Sequence, residues 1–135
     1  MNVLINIDVD DLTQAMQFYT AAFDLRVGRR FGADGVELLG AASPIYLLVK
    51  ADGSAACCGV GDARTYVRHW TPIHLDFVVA DVQSAVQKAV AAGAVVERAA
   101  QTHAWGKIAV LADPFGHGFC LIEFIGDGYD AISTE

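Results

Sequence analysis

Basic residues are scarce: nine Lys and Arg stand against sixteen Asp and Glu in 135 residues, a formal net charge of −7. A field of that sign repels phosphate backbones and anionic membrane surfaces, so nucleic acid is not an expected partner. Long apolar runs are missing too. No stretch approaches the roughly 20 uninterrupted apolar residues that a membrane span needs, and the first residues show no basic stretch followed by an apolar run. A cytoplasmic protein without membrane contact is the expectation. Cysteine is limited to Cys57, Cys58 and Cys120, an odd count without CxxC spacing, which argues against a disulfide framework or a zinc knuckle. They read as reduced thiols. No GxGxxG cradle, phosphate loop or Ser, His, Asp order is present, so dinucleotide, kinase and hydrolase readings fall away.

What the chain does have is apolar material, 54% of its residues against 19% charged. That is enough for a packed core, in a length that suits one folding unit. It also has a diverged internal repeat, found by sliding the sequence against itself by 70 positions. Ile7-Asp8-Val9-Asp10-Asp11-Leu12 then falls on Phe77-Val78-Val79-Ala80-Asp81-Val82. Each copy runs from an apolar strand into an Asp and then an Ala-rich amphipathic stretch. The Asp is a natural N-cap, since its carboxylate accepts from the free amides of a first helical turn. Helices are expected over 11–22 and 81–92.

Three strands are expected after the first helix, over 26–31, 36–39 and 44–50, set apart by Gly, Asp and Ser turn signals. After the second helix, which Gly93 can end, come strands over 94–99, 107–112 and 118–125. The order is βαβββ twice, an α+β arrangement. Asp113-Pro114-Phe115-Gly116 has the Pro and Gly placement of a type I turn. The division is a first module over 1–52, a Gly- and Ala-rich linker over 53–71, a second module over 72–125 and a loose tail over 126–135, all one domain.

Alternation along a strand sorts side chains between two faces. Ile5, Ile7 and Val9, and Leu75, Phe77 and Val79, form apolar faces suited to a covering helix. The opposite faces carry Asn6 and Asp8 in the first copy and His74 and Asp76 in the second. Polar groups in strand centres are costly against an ordinary core, so these faces should line water, a cleft or a partner.

The duplicated strand, Asp and helix pattern, with Trp105-Gly106 leading to Asp113-Pro114-Phe115-Gly116, resembles the vicinal oxygen chelate superfamily of glyoxalases, bleomycin-resistance proteins and extradiol dioxygenases. The resemblance covers nearly the whole chain. It implies two tandem βαβββ modules forming curved mixed sheets around a cavity that holds a divalent metal in the metal-dependent members. The first-strand metal ligand of that superfamily lies seven residues before the helix-capping Asp, which gives Leu4 in the first module and His74 in the second. The last-strand ligand falls on Tyr46 and on Cys120, where Glu is usual. Leu4 cannot coordinate and Cys120 is a soft donor, so the metal site is incomplete.

The resemblance therefore implies a binder of a small organic molecule, cationic or aromatic, with an incomplete metal site. The alternative is a lyase, isomerase or dioxygenase-like enzyme with a divergent metal or acid/base site centred on His74. In either reading His74 and Asp76 are the candidate catalytic pair, and Asn6, Asp8, Tyr46, Trp105 and Cys120 the candidate ligand contacts. No cofactor is expected; a divalent metal, held by His74 with the remaining ligands absent, is the alternative. Trp70 and Phe31 add aromatic surface, although core packing is the commoner use of such residues. His117 reads as a solvent-facing turn residue, and His69 and His103 as surface residues of loops. Cys57 and Cys58 have no basic cluster to favour a thiolate. A homodimer is the expected assembly.

Overall fold

The computed structural model describes residues 1–57 and 61–134, so Cys58 lies outside the described residues. The elements run β1 (Ile5–Val9), α1 (Leu12–Phe23), β2 (Arg26–Arg30), β3 (Gly35–Leu39), β4 (Ile45–Val49), β5 (Leu75–Val78), α2 (Val82–Ala92), β6 (Val95–His103), β7 (Gly106–Ala112) and β8 (Gly118–Phe124). A 3-10 helix, Gly128–Ile132, closes the chain. Two compact units divide between Val67 and Arg68. The first holds a four-stranded sheet in the order β1-β4-β3-β2, the second one in the order β5-β8-β7-β6. In each, the opening strand pairs parallel with the last strand and the other pairs are antiparallel. This is the expected α+β fold of two tandem βαβββ modules.

Both helices start where the repeat places them. The Asp11 carboxylate accepts from the Gln14 amide at 2.9 Å and the Asp81 carboxylate from the Ser84 amide at 2.6 Å. Each bond satisfies one of the amides that a first turn leaves without a helical partner. Helix α1 buries Ala15, Phe18, Tyr19 and Ala22, an i, i+3, i+4, i+7 stripe laid on β3 and β4. Beneath it Val9, Val36, Leu38, Ile45 and Leu47 are fully buried. Helix α2 buries Val82 and Ala89 over a core of Ala109, Leu111, Phe115 and Leu121. Gly93 ends α2 at φ 121, a conformation that L side chains rarely adopt.

Three segments differ from expectation. Strand β6 runs on to His103 instead of stopping at 99, pairing with β7 through two register shifts, between Val96 and Arg98 and between Arg98 and Gln101. The tail is not loose: Tyr129 packs on Trp105 and Phe124, with ring centroids 5.2 and 4.8 Å apart. The first part of the linker is folded, and Arg64 ties it to Asp8 of β1. Ala55 bridges Ala63, and the Arg64 guanidinium binds the Ala55 and Ala56 carbonyls. The Asp113 turn forms as expected, for a reason beyond its Pro and Gly. Buried Asp113 accepts from the Phe115 and His117 amides at 2.8 and 2.9 Å, fixing the bend from inside.

Candidate functional site

The register puts the polar residues of each opening strand on the sheet face away from its helix. In the second unit, Asp76 is the Cα partner of Cys120 and Cys120 that of Val110, so Asp76, Cys120 and Val110 share one face. His74 precedes the strand, and its Nε2 lies 3.3 Å from Asp76 Oδ1, with the two side chains 33% and 37% exposed. The donor atoms of His74, Asp76 and Cys120 all lie within 4.8 Å of one another. Cys120 is buried, and burial, then the Asp76 charge and hydrogen bond, push its thiol up to about 12. It is a neutral thiol at physiological pH and donates to Asp76.

In the first unit the same face carries Asn6, Tyr46 and Glu37 in one row across β1, β4 and β3. Glu37 is 5% exposed, and its carboxylate is gripped by Arg29 Nη2 at 2.5 Å, Arg29 Nε at 3.1 Å and the Arg29 amide at 3.1 Å. The Tyr46 hydroxyl donates to Glu37 at 3.0 Å. Hydrogen bonds from the Arg29 side chain and amide, with that from Tyr46, hold the Glu37 carboxyl at about 2, against the opposing pull of burial. Phe31 tilts against Tyr46, 6.1 Å between centroids. Asp8 is engaged by Arg64 Nε at 2.7 Å, so this carboxylate ties the linker to β1. Asn6 is exposed and Leu4, 58% exposed, offers no donor atom.

The structure therefore brings together His74, Asp76 and Cys120 in one unit and sets Tyr46 in a network with Glu37 and Arg29 in the other. Trp105 lies elsewhere, stacked on His103 at 5.5 Å and tilted against Phe124. Phe124 and Gly118 are opposite ends of β8, whose seven residues span about 20 Å. His117 is not solvent-facing: it is half-buried, and its Nδ1 meets His69 Nε2 at 3.0 Å. His103 ends β6 and does not lie in a loop. Cys57 is exposed.

Sequence reasoning missed Glu37 and Arg29. The available signal was a lone acid inside the apolar run Val36-Glu37-Leu38-Leu39, since a buried carboxylate calls for a cation across the hairpin. It also missed that Asp76 faces Cys120, which follows only from the parallel register.

Comparison with known proteins bears on the chain as a whole. The model of the family described as the glyoxalase-like domain matches residues 4–122. An uncharacterized protein of Mycobacterium bovis is 37% identical over 117 residues, covering 84% of this chain and 76% of its own. One from Mycobacterium tuberculosis strain H37Rv is 37% identical over 84% of this chain and 68% of its own. Among solved structures, a glyoxalase-related enzyme from Fulvimarina pelagi superposes with a TM-score of 0.71 at 20% identity, over 94% of this chain and 93% of that one. The fosfomycin resistance protein FosX from Listeria monocytogenes gives 0.70 at 16% identity, over 93% of each chain.

Proposed function

Since the chain belongs to the glyoxalase-like domain family of the vicinal oxygen chelate superfamily, we propose that it binds a small organic cation on the open face of the second sheet, at Asp76 beside His74 and Cys120. One observation carries the reading. Among the described residues, five carboxylates stand on strands of the two sheets, and four of them are neutralised by a basic side chain: Asp8 by Arg64, Glu37 by Arg29, Glu97 by Arg68 and Glu123 by Lys107. Among the described residues, Asp76 contacts the His74 imidazole and the Cys120 thiol and forms no ion pair with a Lys or Arg, although Arg98 stands in the same cross-strand row and its charge acts on Cys120. A strand-centre carboxylate without a strong cation is stabilised by one that a ligand brings. The net charge of −7 favours such a ligand over an anion. The homodimer expected from the resemblance belongs to this reading, and light scattering on the eluting protein measures it.

Convergence of His74, Asp76 and Cys120 within 4.8 Å favours a second reading, in which they hold a divalent ion. FosX from Listeria monocytogenes has been solved with Mn(II). The donor set here, one imidazole, one carboxylate and one thiol, suits a borderline ion such as Zn(II) better than Mn(II). A bound ion would supply Lewis acidity. His74, whose Nε2 lies 3.3 Å from Asp76 Oδ1, is placed to take or give a proton at that nitrogen. Elemental analysis of protein purified without chelators, paired with thermal-shift screening of organic cations, separates the readings. Stabilisation by cations that Asp76→Asn abolishes, without metal, is the expected result. One metal per chain, lost in His74→Ala, would instead establish the second.

A further inference from the structure

The short segment Arg68-His69-Trp70, assigned above to the linker, is clipped across the turn between β7 and β8. The His69 amide donates to the Gly116 carbonyl at 3.0 Å, and Arg68 Nη1 donates to the same oxygen at 3.3 Å. The Arg68 guanidinium is in turn paired with Glu97. The His69 and His117 rings meet edge to face with a nitrogen contact of 3.0 Å. These contacts come from three groups, the His69 amide, the His69 ring and the Arg68 guanidinium, so the strap is held in place immediately before Trp70.

What the strap delivers is an indole. Trp70 lies over Gly118, where a Cβ would overlap the ring and approach Arg68 Nη2 to 2.8 Å. Gly118 shares its sheet face with Cys120, two residues on. On that face the indole packs against the His74 imidazole, centroids 4.7 Å apart and planes 36° apart, while the Arg68 guanidinium carbon stands 5.4 Å from the ring. These are the distances of offset stacking and of a cation–π contact. The ring is 47% exposed yet has three neighbours of its own.

We infer that Trp70 is the positioning residue of the site: its indole fixes the His74 ring so that Nε2 faces Asp76. The inference rests on the reading of His74 and Asp76 as the ligand-contacting pair. His74 precedes β5 and has no strand register to hold it, so without the indole its side chain would sample several rotamers. Holding one of them removes an entropy cost from any ligand or ion that needs that nitrogen.

The test uses NMR of the intact protein, following the His74 ring protons in wild type, Trp70→Ala, Trp70→Phe and Gly118→Ala, with Zn(II) alone as the binding probe. The indole ring current should shift the His74 Cδ2 and Cε1 protons upfield in the wild type. That shift should collapse in Trp70→Ala, and equally in Gly118→Ala, which keeps the tryptophan but displaces it. Trp70→Phe should retain part of it. Where the wild type binds added Zn(II), its affinity should fall at least about tenfold in Trp70→Ala, the lower end of what orienting neighbours contribute, with partial rescue by Phe. Unchanged His74 resonances in Trp70→Ala would overturn the inference, as would a collapsed shift with unchanged Zn(II) affinity. If wild type binds no Zn(II) while both Trp70→Ala and Gly118→Ala release the ring, the metal reading of the site fails and the positioning role stands.

Discussion

Glu37 illustrates how a single side chain is forced into a charge state. It sits at 5% exposure between β2 and β4, where a lone carboxylate would be expelled or protonated, and it is retained because Arg29 and Tyr46 saturate it. Arg29 is held charged by the same contacts, its guanidinium pKa raised first by the Glu37 hydrogen bond. The sign of the linkage follows. The folded-state carboxyl is depressed to about 2, so the folded state favours the ionised form. The stability this gives is complete above the ordinary carboxylate range and is lost as pH falls through that range toward 2. Urea unfolding from pH 7 down to pH 3 should show the wild type weakening across the lower part of that interval. Glu37→Gln should be less stable at pH 7 and show a flatter acid limb. An unchanged acid limb would place that loss on other groups.

At the scale of elements, most of the architecture was legible, because the features that set it are local. The Asp caps, the 3.6-residue stripe Ala15, Phe18, Tyr19, Ala22 and the Asp113 turn each need only a few adjacent residues. Asp11→Ala should therefore cost about 1 kcal/mol, measured by chemical denaturation, with Asp11→Asn recovering most of it. An equal loss in both variants would mean that the carboxylate's charge, not its acceptor geometry, carries the cap. What stayed hidden depends on distant partners. The end of β6, Ala100-Gln101-Thr102-His103, has a loop's polarity because it is an exposed edge that β7 alone holds. Tyr129 is ordered by Trp105, 24 positions earlier, and His117 by His69, 48 positions earlier. No periodicity announces such contacts. The candidate site divides in the same way: parity identified Asp8, His74 and Asp76 as one kind of residue, but only tertiary structure separated Asp8, which Arg64 neutralises from 56 positions away, from Asp76.

For the whole molecule the consequence is electrostatic. The chain has few basic groups, and Arg29, Arg64, Arg68 and Lys107 are each committed to a carboxylate, so the remaining field is strongly negative. Pairing removes local charge without changing the net sign. An approaching cation is then attracted over a distance that salt controls, since the screening length shrinks from about 30 Å at 0.01 M to about 8 Å at 0.15 M. The contact with Asp76 itself is short-ranged and less screened. For an organic cation that binds, two contributions should separate in a titration. The preference over a neutral isostere should narrow as salt is raised, through a slower association rate, and a residual preference that Asp76→Asn removes should persist at high salt. A preference that vanishes entirely with salt would assign binding to the general field and leave Asp76 no specific role. One that ignores salt would assign it all to the site, and the acidic surface would then serve solubility alone.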